Sequence, residues 1–339
     1  MLIVGTVIGA GFASGAEIVS FFGKDGISLL NAAVCTVLTF GGCVLFLVIG
    51  TRFKPKDVGG LNVLLAGKLH APADWFLLVN SLIVTAGMLA AFETMGREVL
   101  GIPFLSLVFG MLAALAVVRG VSGLVKINTF LLPGAIVSLI VVCAMSLNSG
   151  ADIGLILPKF RPLSSVVYVS MNMILAAGAL IEVRGMKMSE ICLSSGIAAA
   201  IIGALMTLII LALNSTHITS ALPTLDMARA IGKPMMWLIV LSMAASVFTT
   251  LLTAMNSLTD YADSLIKNRK LSSFCVLAVG AVLSALGFER VVDALYPVIG
   301  VLGVVYVALA AVFFFRDSRK KRAAAKTSKR KIKKTGALG

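Results

Sequence analysis

The chain has 339 residues, 59% of them hydrophobic and only 13% charged, with a mean hydropathy of +1.04. So little polar surface cannot cover a water-soluble globule of this length, which excludes a soluble enzyme or binding module and predicts an integral membrane protein. The formal charge of +14 gathers at the C-terminal end, where residues 316–339 carry eleven Lys or Arg against the single Asp317. A polybasic stretch directly after an apolar run reads as a cytoplasmic anchor on anionic lipid headgroups rather than as a nucleic-acid arm.

In chain order, apolar runs long enough to span a bilayer fall near 2–22, 27–51, 74–96, 101–119, 124–147, 165–186, 191–213, 234–257, 271–287 and 293–315. The expectation is therefore an all-α membrane protein of about ten spans. The first run contains GTVIGAGFASG, with Gly5, Gly9, Gly11 and Gly15, each costing about 1 kcal/mol relative to alanine inside a helix. One explanation is close helix packing through the Gly5/Gly9 pair. A dinucleotide-binding loop is excluded, because no strand precedes the glycines. The remaining explanation is a discontinuous helix, whose unwound backbone is tolerated at membrane depth only where it lines protein or a water-filled cavity. On that reading Gly9, Ala10, Gly11 and Ser14 line a substrate site.

A broken first helix predicts a broken counterpart five spans later, because transporters of this kind are built from inverted halves. The sixth run, VVYVSMNMILAAGALIEVRG, centres on Ala176-Ala177-Gly178-Ala179, so Ala177 and Gly178 are the expected complement, with repeats of about 1–147 and 165–315. Between runs seven and eight, Pro223 to Gly232 reads as a short interfacial helix with proline in its first turn and glycine at its end. Asn214-Ser215-Thr216 matches a glycosylation sequon but starts at a membrane boundary. With both termini cytoplasmic, eleven basic residues before the tail fall on the inner side and seven on the outer (Lys24, Arg97, Lys159, Arg161, Arg229, Lys233, Arg290), in keeping with the positive-inside rule.

Cys35, Cys43, Cys143, Cys192 and Cys275 each lie inside an apolar run and read as small hydrophobes. The two histidines, His70 and His217, sit in predicted loops and make zinc chemistry an unsuitable reading. No GxSxG, HExxH or P-loop pattern occurs, so no enzyme activity and no cofactor is expected. Acids within or near spans are functional candidates because ionisable groups are costly there. Glu93 has Arg97 one turn later and Glu182 has Arg184 nearby, which suits interfacial pairs. Glu17, two residues past Gly15, is the candidate for carrying a coupling proton, or alternatively a charge in the outer vestibule.

The GTVIGAGFASGAEI segment with the following Phe21-Phe22 resembles the start of the YkvI-like bacterial membrane proteins, a branch related to the amino acid-polyamine-organocation transporters. The resemblance covers all ten runs. It implies a LeuT-type fold, five plus five helices in inverted repeat with helices 1 and 6 discontinuous, over residues 1–315, followed by the tail at 316–339. It also implies a sodium ion between the carbonyls of Gly5 and Ile8 and the hydroxyls of Thr249 and Thr250 in the eighth run. Hard oxygen ligands suit a small cation, although a threonine in a membrane helix also bonds its own i−4 carbonyl. A first half-helix of about eight residues is only about 12 Å long, so residues before Met1 are expected, as in related proteins. The function expected is a multi-pass secondary transporter of the inner membrane, moving a small polar solute, an amino acid or a related organic compound, coupled to sodium or to a proton. The alternative of a different class is a sensor or receptor subunit that keeps the fold and site without transport.

Overall fold

A computed structural model of the chain describes residues 2–23, 26–119, 124–148, 159–216, 218 and 220–335; His217 lies outside them. The first run is three short helices, α1 (Leu2–Val7), α2 (Ala10–Ser14) and α3 (Ala16–Phe22). They are followed by α4 (Leu29–Phe53), α5 (Val58–Ala66), α6 (Ala71–Met95), α7 (Leu105–Arg119) and α8 (Leu124–Asn148). The second half holds α9 (Pro162–Glu182), α10 (Met188–Thr216), α11 (Pro223–Ile231), α12 (Lys233–Ile266), α13 (Arg269–Ser284), the single turn α14 (Phe288–Arg290) and α15 (Tyr296–Thr335). Six segments, built on α4, α6, α9, α10, α12 and α15, are long and apolar enough to cross a membrane.

Local chemistry sets the helix ends. The Ser28 hydroxyl accepts from Leu30 N at the start of α4, Asp57 accepts from Gly60 N at 2.7 Å at the start of α5, and Asn268 accepts from Leu271 N at the start of α13. Each satisfies one of the orphan N–H groups of a first turn. Prolines stand in the first turns of α6, α9, α11 and α12, where the missing N–H is harmless. The outward faces are apolar: Val37, Leu193, Leu241 and Val282 are each at least 66% exposed, a surface suited to lipid tails rather than water.

The α9 helix runs through the centre of the bundle, between α4 and α15 and along α1. Its close neighbours supply the glycines. A Cβ on Gly50 of α4 would lie 2.6 Å from the Ile181 carbonyl oxygen, and one on Gly300 of α15 would lie 2.7 Å from that of Val167. The same packing corrects the expectation for the sixth run. Pro162–Glu182 is one unbroken helix, with no interruption at Ala176–Ala179. Alanine is the best helix former, and a single Gly178 costs only about 1 kcal/mol, which packing on three sides readily offsets.

The short helix expected between runs seven and eight is present: α11 has Pro223 in its first turn and Gly232 at its C-terminal end, and its Pro223, Thr224, Leu225, Met227 and Ala228 are buried against the bundle. The Asn214 side chain accepts from Ile27 N and donates to Ile27 O, both at 2.9 Å, tying the end of α10 to the segment before α4. Among the cysteines, Cys35, Cys43 and Cys143 are buried, Cys192 is half-buried and Cys275 is exposed.

Candidate functional site

The site is built on the way α1, α2 and α3 are joined. Gly9 adopts an extended conformation (φ −86°, ψ −175°), and Gly15 a left-handed one (φ +76°) that glycine alone takes at little cost. Gly9 N–H turns to Val7 O at 2.9 Å, so the Gly5 carbonyl loses the partner four residues on that a continuous helix would give it. A break of this kind must find other donors, and two come from the second half of the chain. The Ser246 hydroxyl of α12 donates to Ile8 O at 3.5 Å, and the Thr224 hydroxyl of α11 donates to Ala13 O at 2.9 Å. Ser14 acts locally: its hydroxyl donates to Gly11 O and accepts from Ala16 N.

The two glycines of the Gly9-Ala10-Gly11 turn face different things. A Cβ on Gly9 would lie 3.9 Å from Thr250 Oγ1, whereas a Cβ on Gly11 would overlap the Glu17 carboxylate. On the first side, Thr249 and Thr250 donate to the Ser246 carbonyl at 3.0 and 2.9 Å, the back-bonding of threonine in a helix. Both hydroxyl oxygens keep lone pairs free to accept or to ligate. The Ile8 carbonyl, the Ser246 hydroxyl and Thr250 Oγ1 thus converge where the backbone is unwound, one helical turn from the Gly5 carbonyl. This is an oxygen-rich, uncharged set.

On the second side, Glu17 is only 5% exposed and its Oε2 has no hydrogen-bond partner among the described residues. Tyr168 lies on α9 and Tyr296 is the first residue of α15. Tyr168 meets Phe21 and Phe22 edge to face, with ring centroids 5.3 and 5.7 Å apart. The Tyr296 hydroxyl lies 3.2 Å from where a Cβ on Gly87 of α6 would be.

Of the other residues singled out in the sequence, Ala10 is the first residue of α2 and Ala177 is buried in α9, while Gly178 is turned to Val58 of α5, 3.2 Å from its own would-be Cβ. The α9 residue that meets α3 is Tyr168, two and a half turns earlier, through Phe21 and Phe22. Glu93 does pair with Arg97, at 2.8 Å, and also accepts from Phe104 N and the Ser106 hydroxyl, capping the start of α7. Ser246, Thr224, Tyr168 and Tyr296 were missed. Ser246 carries a legible signal, three and four residues before Thr249 and Thr250 on one helix face. The tyrosines carry a weaker one, as two of only four in the chain.

Comparison with known proteins places this arrangement. No protein-family model matches the chain. The chain is similar to the uncharacterized membrane protein YkvI of Bacillus subtilis, 27% identical over 91% of this chain and 92% of that protein. The resemblance to YkvI-like membrane proteins therefore runs the length of the chain. Among solved structures, MhsT in complex with L-phenylalanine superposes with a TM-score of 0.70 at 15% identity, covering 91% of this chain and 87% of that one. Inward-facing Mhp1 superposes at 0.58, with 14% identity and coverage of 92% and 74%. A manganese transporter of Eremococcus coleocola gives 0.52, with 12% identity and coverage of 92% and 76%. The fold is that of these LeuT-type membrane proteins, all-helical and multi-pass, and the structures it resembles are transporters rather than enzymes.

Proposed function

We propose that the chain is a secondary active transporter of an amino acid or related organic solute, coupled to sodium. One observation carries the reading: Ser246 and Thr250 of α12 meet the backbone released at Ile8–Gly9. Sodium there would take oxygen from the carbonyls of Gly5 and Ile8 and the hydroxyls of Thr249 and Thr250, with Ser246 beside them. The ion would tie α1 to α12, and the solute would bind next to it along Gly9, Gly11 and Ser14. Ligand and ion then each favour the arrangement the other needs, which is coupling.

Alternating access requires contacts at both ends that can open in turn. On the outer side Arg229 of α11 pairs with Asp226 at 2.9 Å and reaches Glu98 Oε2, at the end of the α6 segment, at 3.8 Å. On the inner side the Tyr306 hydroxyl of α15 donates to Asn62 Oδ1 of α5, whose amide donates to Asp74 of α6 at 2.6 Å; His70 Nδ1 lies 2.7 Å from the other Asp74 oxygen. The finer architecture we assign is ten spans in two inverted repeats, about 1–147 and 165–315, in the inner membrane. Both termini are cytoplasmic and the basic tail rests on anionic lipid.

Uptake of a mixed solute panel into proteoliposomes, with and without an inward sodium gradient, tests the reading. Gradient-driven accumulation of at least one solute is the expected result. Solute binding with no uptake under any gradient would instead assign the chain to the sensor class.

A further inference from the structure

The α5 helix is held differently from the spans around it. Of its nine residues, VGGLNVLLA, only Leu61 and Asn62 are buried. So short a helix is marginal by itself, and Gly59 and Gly60 weaken its first turn further. Polar ties hold it in place instead. Asn62 stands between two helices, accepting from the Tyr306 hydroxyl of α15 at 2.8 Å and donating to Asp74 of α6 at 2.6 Å. Arg184, just beyond the end of α9, donates to the carbonyl of the buried Pro55 at 3.1 Å. Underneath, Val58 rests on α9 where Gly178 leaves room, with a methyl 3.2 Å from where a Cβ would be. The segment thus bridges the inner ends of α6, α9 and α15.

Both ends of the segment are places where the chain turns. Lys54, closing α4, has φ +51°, which is uncommon for a residue with a side chain. Gly67, closing α5, has φ +58°, with open space where its Cβ would be. A few terminal positions of this kind are what hinges are made of. Resting on the transporter reading, we propose that α5 is a strap over the inner end of the solute path: it swings about Lys54 and Gly67, and Asn62 is the latch that lets go of Tyr306 and Asp74 before solute leaves to the cytoplasm. Water replaces the bonds of Asn62 once α5 lifts, so each exchange is nearly balanced. Lifting a whole span would instead expose a large apolar face. His70 Nδ1 lies 2.7 Å from the other Asp74 oxygen, which keeps the carboxylate oriented for relatching. An element with few buried side chains opens locally, well below global unfolding.

The purified full chain in proteoliposomes tests the strap. Val58→Cys combined with Gly178→Cys brings two thiols within disulfide reach, since the Val58 methyl already lies 3.2 Å from the Gly178 Cβ position. Oxidation should cross-link α5 to α9, leave solute binding within two-fold and cut uptake at least ten-fold, and reduction should restore it. Neither single-cysteine variant should respond to oxidant. Independently, Asn62→Leu keeps the buried volume but makes neither bond, and should speed hydrogen exchange in residues 55–67 at least ten-fold with α6 and α9 unchanged. Tyr306→Phe removes one tie and should speed it by a smaller factor, which carries this arm if Asn62→Leu does not fold. A cross-linked chain that transports as fast as the reduced one would overturn the strap and leave the transporter reading standing. Loss of binding together with uptake would also overturn it, by making α5 part of the solute site. A cysteine pair that does not cross-link, or exchange unchanged in both variants, would do the same. No uptake by the unmutated chain under any gradient would end the transporter reading and the strap with it.

Discussion

Residues 2–22 and 162–182 are equal in length, both rich in small residues, and expected to be counterparts, yet the first is three helices and the second is one. The difference lies in where the glycines are. The first segment carries Gly5, Gly9, Gly11 and Gly15 in its own backbone, a helix cost of roughly 3–4 kcal/mol. Side chains from α11 and α12 wait to bond the carbonyls this releases. The second carries only Gly178, and the glycines that matter to it, Gly50 and Gly300, belong to its neighbours. A glycine in the segment itself, met by outside donors, loosens the helix; a glycine in the neighbour lets the helix be gripped.

That contrast can be broken at several places, and the largest effect is expected at Gly50. A Cβ there would meet backbone of Ile181 at 2.6 and 2.7 Å, which no side-chain rotation relieves. Gly50→Ala should therefore cost about 3 kcal/mol of stability, seen as a large drop in the thermal midpoint of the detergent-solubilised protein; an unchanged midpoint would show that α9 is not held this way. Gly11→Leu comes next. It fills the space of the Glu17 carboxylate and favours helix, so solute binding should fall at least a hundred-fold, about 2.7 kcal/mol, with normal membrane insertion. Unchanged binding in a correctly inserted protein would return the glycines to a packing role.

Thr224→Ala should cost about 2 kcal/mol by leaving the buried Ala13 carbonyl without its donor, and Thr224→Ser should restore most of it. A midpoint within experimental error of the unmutated chain would mean that the carbonyl has another partner. Gly178→Ala is the smallest change. It adds a methyl 3.2 Å from the end of the Val58 side chain within an unbroken helix, so stability should move by less than about 1 kcal/mol. A loss of solute binding there would revive the idea of a break in α9.

The membrane class, the order of the helices and the unwinding at Gly9 were legible because hydropathy and glycine spacing are local signals. The continuity of α9 was not, because it depends on Gly50 and Gly300, far away in sequence. Thr249 and Thr250 were singled out by the resemblance to the transporter family, not by any local pattern. The role of Thr224 was not legible, since nothing in TLDMARAIG says that its hydroxyl will reach Ala13 O. Glu17 stood out as an acid in an apolar segment, but Tyr168, which packs on Phe21 and Phe22 of the same short helix, comes from about 150 residues away in the chain, a distance that periodicity cannot bridge.

The claim at the centre of this account is that the two sides of the Gly9–Gly11 turn do separate work, a cation on the Gly9 side and the solute on the Gly11 side. A sodium titration of solute binding at fixed ionic strength, run on the unmutated chain, Thr250→Val and Glu17→Gln, tests it directly. Thr250→Val keeps the shape and removes an oxygen ligand, so half-maximal binding should need at least ten-fold more sodium, about 1.4 kcal/mol. Glu17→Gln should weaken solute binding while keeping its dependence on sodium. Linkage adds a strict check, because solute must raise sodium affinity by the same factor as sodium raises solute affinity. Solute binding by the unmutated chain that ignores sodium across the whole range would contradict the account.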